Sequence, residues 1–319
     1  MIASPANAVA MRVGLVGCGN WGRHILRDLK SLGVSVSVVA TSPESVERAR
    51  SGGAVAIAAG IANLPIDLDG YVVASPTSLH MHHLEALLGR GRPIFVEKPL
   101  SNDVARVHAL PDSARDLAFT MQKWRYHPGI AEMARMARSG EFGTLKGIRT
   151  KRLDWGTSHH DVDPVWTLLP HDLAITLHIA GRLPPVASAR PDPLGPRGCG
   201  VIASLADETL SVAIEVSAAH PRKQRSIIAA FERATVELAD GWDSALHIRT
   251  GNDLLTRDVG NELPLLAELS AFIEHLRGGP PPLTALDEEL HILDRIAEIR
   301  ALAGLDPLGE NPAPPVFCG

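Results

Sequence analysis

The apolar run MRVGLVG (11–17) is short enough to be one buried strand, and it leads directly into Gly17-Cys18-Gly19-Asn20-Trp21-Gly22. A G-x-G-x-x-G between a strand and a helix leaves the chain few choices. Gly17 permits the tight turn, Gly19 lets backbone approach a ligand, and Gly22 lets the helix pack closely on the strand. The helix NWGRHILRDLKSLG starts at Asn20 and stops at Gly33. Its first amides and the positive end of its dipole suit a pyrophosphate, so the turn points to a dinucleotide. A strand-to-helix turn with no ligand is the competing reading, and the βαβ context weighs against it.

The strand–helix rhythm continues. VSVSVVA (34–40) predicts a second strand, and SPESVERAR (42–50) a helix with Ser42 as N-cap and Pro43 at its first position. Strands over 70–75, 93–97 and 116–121 alternate with helices over 79–91 and 101–110. Strict alternation implies right-handed βαβ units and an α/β fold with a doubly wound parallel sheet. Near Gln122 the rhythm changes. Residues 127–140 predict a helix with Ile130, Met133, Ala134 and Ala137 on one face, and 143–153 a strand. Residues 170–181 predict a helix opened by Pro170 and ended by Gly181. Strand-like runs such as 210–218 and 225–232 then recur without long helices between them. They predict an α+β domain with a largely antiparallel, open-faced sheet. Helices over 262–278 and 287–303 close the chain. The expected domains are 11–122 and 123–319, with the helix at 287–303 packing back on the first. Residues 1–10 read as a loose leader, and the Pro-rich stretch after Gly304 as irregular.

Composition removes several classes. At about 150 residues per domain, 319 residues make two. Lys and Arg number 31 against 36 Asp and Glu, a net charge of −5, which argues against a nucleic-acid partner. The weakly polar stretch 52–66 is interrupted by Asn63 and Pro65 and falls short of the ~20 residues a membrane helix needs. Residues 1–10 lack a basic start and a long apolar run, so no secretion signal is expected. Cys18, Cys199 and Cys318 show neither a disulfide framework nor metal-type pairing; reduced thiols and a cytoplasmic location are expected.

The second strand ends in Ala40-Thr41-Ser42, where an NAD enzyme often carries an acid for the adenosine ribose. Small hydroxyls leave room for a 2′-phosphate, which tilts the expected cofactor, NAD(P), towards NADP(H). Arg23, Arg48 and Arg50 are the candidate counter-charges, and helix capping accounts for Ser42 equally well. Glu97-Lys98-Pro99 lies just past the fifth strand, where ligands of a doubly wound sheet sit. Lys98 is therefore a candidate to meet the nicotinamide rather than a solvated lysine, and Pro99 is a candidate for a cis peptide.

The GCGNWG turn, SPTSLHMHHLEALLGRGRPIFVEKPLS (75–101), KWRYHPGI (123–130), PHDLAITLHIAG (170–181) and GGPPPLTALDEELHILDRI (278–296) together resemble the glucose–fructose oxidoreductase/inositol dehydrogenase/MocA family, over about residues 11 to 304. The resemblance implies an N-terminal Rossmann domain and a C-terminal open-faced sheet domain. It implies hydride transfer between nicotinamide and a hydroxyl or carbonyl carbon of a sugar, nucleotide-sugar or cyclitol. It also implies a homodimer or homotetramer. Lys98 would be the catalytic-region Lys and His171 the active-site His. Gly17, Gly19, Asn20, Trp21, Gly22, Thr41, Ser42, Ser75, Pro76, Thr77, His80, Glu97 and Lys98 would hold the cofactor, while His82 and His83 read as surface residues. The chemistry agrees, since hydride transfer to or from a carbon bearing oxygen needs a proton partner for that oxygen. Burial and a nearby oxidised nicotinamide would favour a neutral Lys98.

One departure stands out. Four residues before His171, where many members have Asp, this chain has Thr167, which cannot act as a carboxylate base. Thr167 motivates an alternative, a sensor that binds NAD(P) and sugar without turnover. Arg125, Tyr126, Arg152, Trp155, Trp166, Thr167 and His171 are candidate substrate contacts, with Lys123 and Lys151 beside them. The cations would suit a phosphate or carboxylate and the Trp rings a sugar face; a solvated strand edge accounts for the cations equally well. Asp172 is expected to be structural. His159, His160, Asp161 and Asp163 lack a recognised metal spacing and read as a polar rim, so no metal is expected.

Overall fold

A computed structural model describes residues 10–156 and 161–309. The chain runs β1 (Arg12–Val16), α1 (Gly22–Ser31), β2 (Ser35–Val39), α2 (Pro43–Ser51), β3 (Ala56–Ala58), β4 (Gly70–Val73), α3 (Thr77–Leu88), β5 (Ile94–Glu97), α4 (Val104–His108) and β6 (Ala118–Met121). It continues α5 (Pro128–Ser139), β7 (Leu145–Trp155), α6 (Pro164–Ala180), β8 (Val186–Pro191), β9 (Gly200–Ala206), β10 (Ser211–Ser217) and β11 (Ala219–Phe231). Then come β12 (Thr235–Leu238), β13 (Ala245–Thr250), β14 (Asp253–Asp258), α7 (Pro264–Leu276) and α8 (Leu286–Leu302).

The described residues form two compact units. The first draws on the chain up to Glu97, on Pro111–Met121 and on Leu265–Leu286. Its six-stranded sheet has the order β3-β2-β1-β4-β5-β6 with every neighbour parallel. That is the doubly wound dinucleotide order, with its switch point between β1 and β4. The β-branched runs at Arg12–Val16 and Ser35–Val39 are almost wholly buried, as a strand covered on both faces must be. α2 starts at the predicted cap: Ser42 Oγ accepts from the Ser45 amide and Ser45 Oγ from the Ser42 amide. β3 is only three residues long, too short for its alternation to be read in the sequence.

The split at 122/123 is not the one the packing makes. Leu265, Leu269, Phe272 and Ile273 of α7 join the core of the first unit, and Phe272 stacks on Phe95 of β5 at 4.9 Å. Gly70 allows that approach, because a Cβ there would stand 2.8 Å from Leu276. Conversely, Lys98–Leu110 belongs to the second unit. The helix expected to pack back on the first domain, α8, belongs to the second unit too. Both helices bury apolar side chains, but Glu289 and Arg300 of α8 are also buried and find their partners, Gln122 and Asp163, in the second unit.

The second unit holds an eight-stranded sheet of order β14-β13-β12-β11-β7-β10-β9-β8. Only β7 and β10 pair in parallel; the other neighbours are antiparallel. On β10 the buried Val212, Ile214 and Val216 alternate with more exposed residues, so one face is covered. α6 packs against β7, β9 and β10. It begins at Pro164, capped by Asp163, and not at Pro170 as the sequence predicted. Both prolines suit a helix start. Asp163 decides between them by accepting from the Trp166 amide, which leaves Pro170 inside the helix.

Asp163 is not part of a polar rim: its carboxylate is gripped by both terminal nitrogens of the buried Arg300, at 2.9 and 2.8 Å. His159 and His160, with the leader over 1–9 and the tail over 310–319, lie outside the described residues. Among the described residues no group of three His, Cys, Asp or Glu could hold a metal ion. None of their helices is long and apolar enough to cross a membrane. Cys18 is free and buried, and Cys318 lies outside the described residues.

Candidate active site

In the first unit the glycines of the turn do three different things. Gly17 sits at φ +98°, and a Cβ there would meet the Ala74 carbonyl at 2.7 Å. At Gly22 a Cβ would collide with the Gly17 carbonyl. At Gly19 nothing lies within 4 Å, so the missing side chain leaves open space above the amides that open α1. A dinucleotide laid on this turn would use that space. Asn20 and Trp21 are exposed beside it, and the Trp21 indole N–H donates to the Glu97 carboxylate. Cys18 is buried under the turn, and burial pushes its thiol pKa up while the nearby Arg48 guanidinium pulls it down. Thr41 and Ser42 are exposed at the end of β2.

The loop after β4 is built around Ser75. Its carbonyl meets His80 Nε2 and its hydroxyl meets His83 Nδ1, each at 2.9 Å. His80 thus shapes the loop from a buried position, and His83, read as a surface residue, holds it too. Pro76 is exposed. Thr77 is buried and its hydroxyl has no hydrogen-bond partner among the described residues, an orphan that a bound cofactor would satisfy.

The other candidates lie in the second unit. Lys98 follows the last residue of β5, and its peptide to Pro99 is cis. Its ammonium donates to the Thr167 carbonyl at 3.0 Å. The Thr167 hydroxyl is turned inward and donates to the Pro164 carbonyl at 3.1 Å. Thr167 therefore serves Lys98 through its backbone. One turn on, His171 is buried, and its Nδ1 has no hydrogen-bond partner among the described residues. Burial and the charges of Lys98, Arg152, Lys123 and Arg225 hold its pKa well below the ordinary imidazole range, so it is neutral. Asp172 pairs with Arg152 at 2.7 Å, both partners buried.

Glu289 was not singled out by any motif. It is fully buried on α8 and accepts from the Leu100 amide at 3.3 Å and from Gln122 Nε2 at 3.1 Å. One carboxyl thereby ties the segment after Lys98 to the segment after β6. Burial raises its pKa to about 7, against the opposing hydrogen bonds from Gln122 and Leu100.

Two candidate substrate contacts are placed elsewhere. Trp166 is fully buried, with the Arg300 guanidinium 5.3 Å from its ring centre, so it cannot stack on a sugar. Arg125 is buried and grips Glu288 with two nitrogens at 2.8 and 3.2 Å, which makes it a structural ion pair. Tyr126 is half-buried, Lys151 pairs with Glu215 at 3.4 Å, and Trp155 stays 55% exposed at the end of β7. Arg152 reaches the cluster, its guanidinium 5.0 Å from the ring centre of Trp124.

Residues 11–122, which carry the turn, the Ser75 loop and the Glu97-Lys98-Pro99 motif, match the family described as "Oxidoreductase family, NAD-binding Rossmann fold". Over these residues the chain is similar to the Gfo/Idh/MocA oxidoreductases. The resemblance drawn from the motifs and the expected Rossmann fold both hold. A curated relative is inositol 2-dehydrogenase 2 of Saccharopolyspora erythraea, 27% identical over 58% of this chain and 60% of the relative. Another is UDP-N-acetylglucosamine 3-dehydrogenase of Acidithiobacillus ferrooxidans, 25% identical over 55% of this chain and 56% of the relative. The chain thus spans about three-fifths of the length of the curated relatives it matches. Among solved structures, an oxidoreductase from Agrobacterium radiobacter in complex with NAD+, L-tartaric acid and magnesium superimposes with a TM-score of 0.81. It is 16% identical and covers 92% of this chain and 96% of that one, a likeness of fold.

Proposed function

We propose that this protein is an NAD(P)-dependent oxidoreductase. It moves a hydride between nicotinamide and a hydroxyl or carbonyl carbon of a sugar, nucleotide-sugar or cyclitol. The observation that carries this reading is the ammonium of Lys98. It lies one residue beyond a strand whose carboxyl end faces the ligand side of a dinucleotide fold, is anchored on Thr167, and shares its cluster with a neutral His171. The names of the relatives, inositol and nucleotide-sugar dehydrogenases, support the substrate class.

When bound, the nicotinamide supplies or accepts the hydride. Lys98 handles the proton. In reduction its ammonium donates to the developing alkoxide; in oxidation the neutral amine takes the hydroxyl proton. The Thr167 carbonyl accepts a hydrogen bond and offers no negative charge, so it orients Lys98 without fixing it as an ammonium. The surrounding cations oppose protonation of His171, so its unpartnered nitrogen suits a hydrogen bond with the substrate.

NADP(H) is the preferred cofactor in this reading, because Thr41 and Ser42 stand where a ribose-binding acid would, and Arg48 lies near the turn. Assembly is as a homodimer or homotetramer, which size-exclusion chromatography with light scattering tests. The activity is tested by following reduced-nicotinamide absorbance across a panel of sugars, cyclitols and nucleotide-sugars. Turnover with at least one class is expected. Cofactor and sugar binding without turnover anywhere in the panel would replace this reading with the sensor.

A further inference from the structure

The four cations around His171 come from four separate places in the second unit. Lys98 follows β5, Lys123 follows β6, Arg152 is on β7 and Arg225 on β11. Trp124 gathers two of them. The Arg152 guanidinium and the Lys123 ammonium lie 5.0 and 5.9 Å from its ring centre, and His171 meets it edge-on at 6.5 Å. The turn between β12 and β13 closes over it. Gly241 lies so close that a Cβ would stand 2.6 Å from the Trp124 ring and 3.4 Å from Arg225 Cβ. The next residue, Trp242, tilts against Trp124 at 6.3 Å while remaining 62% exposed.

The carboxylates near this patch are already engaged. Asp172 is committed to Arg152 at 2.7 Å. Asp154 is shared between Arg225 at 3.5 Å and Lys223 at 3.9 Å. Asp240 also acts on Arg225 through space. Among the described residues the nearest approach of Arg225 to a carboxylate is longer than a charge-assisted hydrogen bond, and its buried Nε has no hydrogen-bond partner. Arg152 and Arg225 repel each other, an oxyanion would offset that repulsion, and carboxylate and phosphate oxygens both match the guanidinium fork.

We propose that the substrate carries an oxyanion, a carboxylate or a phosphate, which seats on Arg225 and Lys123 beside Trp242. The exposed Trp242 ring offers a flat apolar face to the ring bearing that group, and Trp242 and His171 both meet the Trp124 ring. The inference deepens the sugar oxidoreductase reading and rests on it for the rest of the molecule.

Calorimetric titration of the NADPH-loaded protein with D-glucuronate, D-glucose 6-phosphate and D-glucose tests it. At least one of the two anions is expected to bind about tenfold or more tightly than glucose. Which anion does so separates the carboxylate from the phosphate. The Arg225→Gln variant should reduce the gap to less than about threefold with cofactor affinity kept. Should that variant fail to fold, Lys123→Met serves the same purpose. Glucose binding as tightly as both anions, no binding by any of the three, or a gap that survives substitution would each overturn the proposal. Failure of the oxidoreductase reading looks different: the anions bind with the expected gap, yet no sugar alters reduced-nicotinamide absorbance.

Discussion

The glycine turn of the first unit and the His171 cluster of the second are the two candidate ligand sites, and they are built in opposite ways. The turn uses backbone: open space at Gly19, a positive φ at Gly17, and the amides at the start of α1. Its positive character comes from peptide dipoles, which carry no titratable group. The cluster uses side chains drawn from positions 98 to 242, and it keeps buried charges in balance to do so. A backbone site is broken by an added carbon. A side-chain site is broken by a lost charge, and it responds to pH.

The comparison breaks most visibly at Lys98. Lys98→Met should lower kcat/KM by about 10³-fold while steady-state fluorescence titration gives an unchanged cofactor Kd. A parallel loss of cofactor affinity would mean that the two regions do not act separately. Asp172→Ala leaves Arg152 buried and uncompensated, and chemical denaturation should show a loss of about 3 kcal/mol or more. Gly19→Val should do the reverse. With nothing within 4 Å to meet, the side chain leaves the melting temperature unchanged but fills the ligand's space, weakening cofactor binding about 100-fold, or ~2.7 kcal/mol. A smaller change is expected from Thr41→Asp, which introduces a ribose acceptor and a charge that repels a 2′-phosphate. The ratio of NADPH to NADH affinity should fall about tenfold.

The pH response sharpens the contrast most finely. Glu289 has its folded pKa raised from the ordinary 4.5 to about 7, so between these values the folded chain keeps a proton that the unfolded chain has lost. Its contribution to stability is complete below pH 4.5 and disappears as the pH rises to 7, at no more than about 1.4 kcal/mol per pH unit. His178, held down to about 4 by burial, acts in the other direction and costs stability as the pH falls from 6.5 to 4. Urea unfolding at a series of pH values should show Glu289→Gln flattening the first slope and leaving the second; an unchanged slope would show that Glu289 does not titrate in this window.

Reading the sequence worked where the signal was local. Ser42 and Ser45 form the capping box from residues three apart, and the G-x-G-x-x-G does what its spacing implies. It went astray where two local signals compete or where the partner is distant. Pro170 looks like a helix start until Asp163 caps the helix at Pro164. Trp166 looks like a sugar platform until Arg300 covers it, and Arg125 looks like a ligand for an anion until Glu288 takes it. Arg225 and Trp242 lie in no motif, and Glu289, although within the 278–296 stretch, has no spacing that marks it.

By itself the sequence determined the first sheet and its phosphate-type turn, because strand period, glycine spacing and capping act over a few consecutive residues. Tertiary structure decided which charges meet. Lys98 finds its anchor 69 residues away, and Arg300 grips Asp163 across 137. It also decided that α7 serves the first unit and α8 the second. Burying a charge demands a specific partner whatever its distance along the chain, and that demand is settled only when the segments pack.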